Sequence, residues 1–416
     1  MRTVQSAFLR FARCAKEKIH SALATKVQDA LCESATMSRH FSLVEYYNGK
    51  PISAKAKRSN YKTLLHEIFL PSGYPSSVTD DYLAYQFWDT VQAMASSLTG
   101  VLSTAAILKG AGVGDQSATV LSAALSWILK DGAGMIGRII FAWSYGTFLD
   151  SDSKRWRLMA DLLNDVSFFV DILAGTFPPS YFVVIVCLSS LMRSIVGVAG
   201  GATRMAIIRH QARRENLADV AAKDGSQETL VGLFSLVLSL LMLPMVENNK
   251  ALVWILFVLL TITHLIANYK AVSVLEFDVF NENRLKIVAN EYVESGRILS
   301  IKEANARENT HIFKFTRRDR FYGCPLRQLL QFDQDADARN AQNKIVGKIG
   351  HNGSSGAIAF MKDATPNDII LAAFQLEFEI RNLSKYDPIE FQQKLQRQGW
   401  CVHSHLILMD EYSFTC

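Results

Sequence analysis

Apolar residues crowd into the middle of the chain, between Tyr82 and Val272, and leave both ends polar. Within that region six apolar stretches follow one another, at 91–108, 118–148, 158–173, 181–205, 230–246 and 251–268. A helix needs roughly 20 apolar residues to cross a bilayer. The stretches at 181–205, 230–246 and 251–268 meet that length with few charges, and 91–108 has none. The stretch at 118–148 carries Lys130, Asp131 and Arg138, so it spans only with those groups turned to a bundle interior. The stretch at 158–173 holds Asp161, Asp165 and Asp171 and either spans or lies at the interface.

The flanks read differently. Residues 37–60 form a polar linker, and Pro71, Gly73 and Pro75 mark turns before a first long helix that Thr79 or Asp80 could cap. After Lys270 come an amphipathic helix ending at Gly296, loop-like runs around RRDRFYG and at 332–344, and a hairpin pattern across 344–360. Thr365 and Pro366 then start a helix, DPIEFQQKLQRQG starts another, and CVHSHLILM alternates like a strand. The organisation is a basic segment and linker at 1–60, a helical membrane domain at 61–288 and a soluble α+β module at 289–416.

Charge adds orientation. The net charge of +5 arises before Tyr61, where eleven basic residues face four acidic ones. The first residues place Phe8, Phe11, Ala15 and Ile19 at helical spacing among bases, as in a mitochondrial presequence or a surface-lying amphipathic helix. Bases also gather around Arg155 and Arg213, between stretches two and three and after stretch four, so both termini and these two loops are expected on one side. No basic patch is interleaved with stacking aromatics, so nucleic acid is not an expected partner. The six scattered cysteines make neither a zinc site nor a disulfide framework.

Candidate chemistry lies in the apolar region. Asp131 and Arg138 are seven residues apart and share a helix face; Asp161 and Asp165 share another, and Arg193 lies deep in the fourth stretch. Ionisable groups there pair with one another or line a polar pathway, so these five form the candidate polar site. Gly132, Gly134 and Gly137 match a dinucleotide-binding spacing, but they sit in a continuous helical pattern, where glycines admit a neighbouring helix; Gly197 and Gly201 read the same way. His403 and His405 share a strand face without further ligands, so no metal is expected. No catalytic constellation or cofactor motif emerges, and an enzyme is not expected.

FLPSGYPSSVTDDYLAYQFWDTVQA, WILKDGAGMIGRIIFA at 127–142, KRWRLMADLLND at 154–165 and HQARRENLADVAAKDGSQET at 210–229 resemble the root UVB-sensitive (RUS) family, from about Tyr61 to Val288. The resemblance implies a membrane-associated protein linked to vitamin B6 homeostasis, with no assigned reaction and no catalytic residues. It also singles out a motif loop of His210, Asn216, Asp219, Lys223, Asp224, Ser226, Gln227 and Glu228. Gly146 to Asp150 with Lys154-Arg155, and Arg193 with Gly197, are in turn similar to short motifs of major facilitator transporters, of which six spans would be one half.

The expectation is a mainly α, multi-pass helical membrane bundle of about six spans with a small C-terminal α+β module. It handles or transports a small polar solute and contacts membrane lipid, and its partner is a second copy or a related family member. The alternative is a non-catalytic membrane scaffold that binds a protein through its soluble ends.

Overall fold

The structure is a computed structural model, and it describes residues 44–47, 50–53, 61–111, 120–308, 310, 318–325, 328–329, 345–351, 355–383, 386–410 and 413–414. The basic amino-terminal helix and the run at 332–344 lie outside these residues. The chain forms two units, Met1–Leu70 and Pro71–Cys416.

The first unit holds an antiparallel pair, β1 (Val44–Tyr47) and β2 (Lys50–Ser53), and helix α1 (Tyr61–Phe69). Strands thus replace part of the linker expected at 37–60. Val44, Tyr46 and Tyr47 favour extended backbone, and Asn48-Gly49 between the strands is a strong hairpin signal in sequence.

The second unit begins with six long helices, one for each apolar stretch. They are α2 (Tyr82–Gly110), α3 (Val120–Ser151), α4 (Ser153–Ala174), α5 (Pro179–Gln211), α6 (Leu217–Val246) and α7 (Lys250–Val274). Among the described residues, four helices are long and apolar enough to cross a membrane: α2, α6, α7 and the Tyr181–Gln211 part of α5. Expected spans two and three become α3 and α4, which fall outside that set because of their charges. α2 packs on α4, α6 and α7, and α5 lies between α3 and α4. Many large apolar side chains face outward, with Trp143 on α3 86% exposed. Thr79 and Asp80 do not cap α2; Asp81 holds the N-cap position and sends its carboxylate elsewhere.

Glycines bring α3 and α5 together. A Cβ on Gly134 would stand 2.8 Å from Ser190 Oγ, and one on Gly137 would stand 2.6 Å from Ser194 Oγ. Small residues here let two helix backbones approach closely. Gly132, Gly197 and Gly201 have nothing within 4 Å of an added Cβ, so they serve no such contact inside the described chain.

The C-terminal module packs helices α8 (Glu282–Ser295), α9 (Ile301–Arg307), α10 (Pro366–Ile380) and α11 (Pro388–Arg397) with a small sheet. In the sheet β5 (Gly356–Met361) pairs antiparallel with β4 (Ile345–His351) and parallel with β3 (Arg320–Tyr322) and β6 (Ser413–Phe414). The hairpin, both helices and the Thr365 capping box follow the sequence pattern. Two expectations change. RRDRFYG contains a strand, because Arg320 and Tyr322 bury themselves while Phe321 stays half-buried. CVHSHLILM forms only isolated bridges, His405 with Phe280 and Met409 with Tyr322. Phe280, Leu285, Val288 and Ala289 already belong to the module's core, along with Phe374, Phe378 and Phe391.

A buried ionic cluster joins the module to the helices. Lys154 at the start of α4 reaches Glu308 at 3.1 Å, Asn305 Oδ1 at 2.8 Å and the Leu275 carbonyl at 2.8 Å. Arg284 donates to both Glu308 oxygens, at 2.7 and 2.9 Å, and Asn281 adds a third donor. Burial pushes the Glu308 carboxyl up, but Arg284 and Lys154 outweigh it and hold the group at about 2.

Two outcomes follow. Folding lowers the Glu308 pKa from an ordinary 4.5 to about 2, so its stabilisation is complete above pH 4.5 and lost as the pH falls toward 2. Glu308→Gln removes that acid dependence and costs about 3–5 kcal/mol at neutral pH by leaving Lys154 and Arg284 without their counter-charge. Unfolding followed by circular dichroism across pH would show both effects. Gly137→Val is expected to cost about 1–3 kcal/mol by overpacking the helix contact, whereas Gly132→Ala stabilises by about 1 kcal/mol through helix propensity. Equal melting temperatures for these two variants in detergent would rule out the close contact.

Candidate functional site

Polar residues on α2 recur as Tyr85, Asp89, Gln92, Ser96 and Ser103, on one helix face. On α4 the matching set is Arg157, Asp161, Asn164, Asp165 and Asp171. The two faces meet rung by rung. Arg157 donates to Asp89 Oδ1 at 2.8 Å, Gln92 Nε2 to Asp161 Oδ2 at 3.0 Å, Asn164 to Ser96 Oγ at 3.0 Å, and Ser103 to Asp171 Oδ2 at 2.7 Å. The rungs join residues 68 or 69 apart, so α2 and α4 run parallel and in register. From Asp89 to Ser103 the ladder covers about 21 Å of helix at 1.5 Å per residue.

α7 adds the central group. His264 is 0% exposed, with Nδ1 2.8 Å from Asp165 Oδ2 and Nε2 3.0 Å from Gln92 Nε2. Gln92 can only donate through its amide nitrogen, so Nε2 accepts and Nδ1 carries the proton toward Asp165. One amide therefore serves both Asp161 and His264. α5 closes the far end, where Asp171 accepts from Ser189 and pairs with Arg193, whose guanidinium lies 5.4 Å from the Phe168 ring.

The structure therefore brings together Asp161, Asp165 and Arg193 of the five candidates. Arg193 faces an acid of α4, Asp171, rather than Asp131. Asp131 and Arg138 are exposed, and among the described residues Asp131 pairs only with its neighbour Lys130, at 3.8 Å. Helix geometry explains the separation. Gly134, Gly137 and Phe141 form the face of α3 that turns inward, and Asp131 and Arg138 lie about 70–90° around the helix from it. Asp89, Gln92 and Arg157 were not among the candidates. They stand at the ends of the apolar stretches, and only the seven-residue polar repeat of α2, paired with that of α4, marks them.

The motif loop is mostly helix. Only residues 212–216 connect α5 to α6, and Glu215 turns the chain with a φ of 53°. The motif is tied to the segment before α2. Ser72 N donates to Asp219 Oδ2 at 2.7 Å, and Asn216 Nδ2 donates to the Ser77 carbonyl at 3.2 Å. Asp224 accepts from Gln86 at 3.0 Å and Arg204 at 2.6 Å, Glu228 pairs with the same arginine, and Gln227 reaches Tyr82 OH at 3.4 Å. Ser226 bonds its own helix, and Lys223 is half-buried on the turn before. His210 donates through Nε2 to Asp81 Oδ2 at 2.8 Å, and the Glu276 amide donates to the same oxygen at 2.8 Å. Burial opposes ionisation of Asp81, but His210, Thr79 and that amide together hold its carboxyl below the usual range.

Arg193→Leu leaves Asp171 buried without its counter-charge and is expected to destabilise the bundle by about 3–5 kcal/mol. The double variant Arg193→Leu, Asp171→Leu recovers much of that loss. Thermal unfolding of the single and double variants in detergent checks the coupling, and additive losses would refute the pair.

Comparison with known proteins agrees with the sequence motifs. Residues 55–296 match the family described as the vitamin B6 photo-protection and homoeostasis domain. The chain is 43% identical over 289 residues to RUS family member 1 of Dictyostelium discoideum, covering 69% of this chain and 55% of that protein. It is also 43% identical over 242 residues to root UVB sensitive 3 of Arabidopsis thaliana, covering 58% of this chain and 55% of that protein. The chain thus spans about half the length of these relatives. No solved structure matches. The ladder, the clasp around Asp81 and both long motifs fall within the matched residues, and the chain belongs to the root UVB-sensitive family.

Proposed function

We propose that the six helices form a multi-pass membrane bundle that handles a small polar solute along the ladder between α2, α4 and α7. The carrying observation is charge. Among the described residues Asp89, Asp161, Asp165 and Asp171 pair directly with two guanidiniums, Arg157 and Arg193, and with His264. A purely structural set in apolar surroundings would be expected to balance, because each uncompensated buried charge is costly. Excess carboxylate suits a proton or a small cation rather than a free anion.

Gln92 supplies a coupling. With His264 neutral, its amide nitrogen serves both His264 and Asp161. A second proton on His264 turns Nε2 into a donor, and the amide must then rotate to offer its oxygen. Asp161 loses that donor in the same step. Proton uptake at one group thereby releases a carboxylate at the next, which is the requirement for exchanging a proton with a cationic solute.

The family description supports vitamin B6 compounds as the first solutes to try, and protonated pyridoxamine has the charge the ladder favours. Six helices with the Asp150 and Arg193 motifs also suit half of a facilitator-type transporter, completed by a second copy or a relative. The rival reading is a scaffold held together by dry pairs, and the closed Asp171, Ser189 and Arg193 cluster is what favours it.

Reconstituted vesicles decide between them. Uptake of pyridoxamine or another small amine, or an accompanying pH change, is expected and should fall at least tenfold in Asp161→Asn and His264→Gln. Gln92→Leu is expected to lose coupling and about 1–3 kcal/mol of stability, because Asp161 and His264 lose a donor. No uptake by the parent, with only stability changed in the variants, supports the scaffold.

A further inference from the structure

A second set of polar groups lies where the helices meet the C-terminal module, away from the ladder. A cavity of about 250 Å³ opens between the carboxy-terminal end of α5, the segment after α7 and residues 401–406. Sites for drug-sized ligands run from roughly 300 to 1,000 Å³, so its occupant is small. The walls carry both signs of charge. Arg209 comes from the end of α5, Arg213 from the connection that follows it, Asp150 from the end of α3, and Asp278 from the segment after α7.

Not all of these groups satisfy one another. Arg213 pairs with Asp278 at 3.2 Å. Arg209 and Asp150 make no ion pair or side-chain hydrogen bond among the described residues. His210 also lines the cavity, and its side chain is only 3% exposed. Its Nε2 is committed to Asp81, but its buried Nδ1 has no hydrogen-bond partner and sits 3.9 Å from Asp278 Oδ1. With Nε2 donating to Asp81, Nδ1 of the neutral ring is an acceptor that lacks a donor. Burying an acceptor without a partner is costly, so a group that donates to it is expected in the cavity. Phe277, whose ring centroid is 4.6 Å from that of His210, supplies an apolar wall.

We infer that this cavity binds a small zwitterion, whose oxyanion meets Arg209 and whose protonated nitrogen meets Asp150 and His210 Nδ1. A guanidinium presents a planar fork that matches a phosphate or carboxylate. An ammonium brings three donors, enough for Asp150, the Asp278 side and the imidazole nitrogen. A ligand with one charge would engage only one of Arg209 and Asp150, which are both exposed at the cavity. The same chemistry occurs in a soluble amine phosphate and in a phosphatidylethanolamine headgroup. The inference is independent of the solute reading of the ladder.

The test uses the full chain purified in detergent and titrated calorimetrically with O-phosphoethanolamine, inorganic phosphate or ethanolamine. Saturable binding of O-phosphoethanolamine is expected, at least tenfold tighter than either half-ligand. Arg209→Gln and Asp150→Asn should each weaken it at least tenfold with an unchanged melting temperature, since neither side chain has a partner to lose. In parallel, the chain is melted in nanodiscs of phosphatidylethanolamine or phosphatidylcholine. If the soluble probe fails, but phosphatidylethanolamine alone stabilises the parent and neither variant, the occupant is a lipid headgroup and the inference stands. Inorganic phosphate binding as tightly as the zwitterion overturns it. So do variants that bind as the parent does, or a parent that responds to neither source.

Discussion

The in-register pairing of α2 with α4 is the constraint from which the rest of the helical unit follows. Where water is scarce, each polar group must find its partner inside the protein. A helix repeats its face every seven residues, so two parallel helices with matching polar repeats can satisfy one another along their length. The four rungs use that match, and two of the three acids of α4, Asp161 and Asp171, receive donors from α2. α7 and α5 are then placed by what the ladder lacks, a donor for Asp165 and a counter-charge for Asp171. The outward faces are left apolar.

Two further polar knots hold the end of the bundle near the C-terminal module. Asp81 gathers the start of α2, the end of α5 and the segment after α7 through Thr79, His210 and the Glu276 amide. Glu308 gathers α4, α8 and Asn281. The first knot unites the two long motifs that mark the family, since His210 belongs to one and Asp81 to the other. That explains why PSSVTDD and HQARRENLAD, more than a hundred residues apart, behave as one feature: Val78 and Ala212 even share a backbone bridge. The second knot lies partly beyond the family-matched residues, so this module is fastened to the shared domain through Lys154.

Much of this was legible from residue pattern. All six apolar stretches are helices, and the Thr365 start, the Gly296 stop and the hairpin at 345–361 follow local chemistry. Facing was harder to read. Asp131 and Arg138 share a helix face, but whether that face turns inward depends on Gly134 and Gly137 of the same helix, whose contacts are with α5. Arg193 was legible as an inward charge, but the sequence left both Asp131 and the acids of α4 open as its partner, and only the structure selects Asp171. Gln92 was not, because a lone amide inside an apolar helix carries no signal until its two partners, 69 and 172 residues away, are known. The strand at 320–322 was missed for the same kind of reason: its burial is settled by Glu377 on α10, which accepts from Arg320.

The ladder also bears on how such a chain is made. In a bilayer α4 carries three buried acids, and a charged side chain at mid-membrane costs about 2.5–3.5 kcal/mol on insertion scales. α2 emerges from the ribosome before α4 and already presents Asp89, Gln92, Ser96 and Ser103, so all four rungs can close as α4 arrives. His264 is synthesised about a hundred residues later, and Asp165 waits for it. If the helices enter a bilayer as proposed, assembly passes through a stage in which Asp165 still lacks its partner His264.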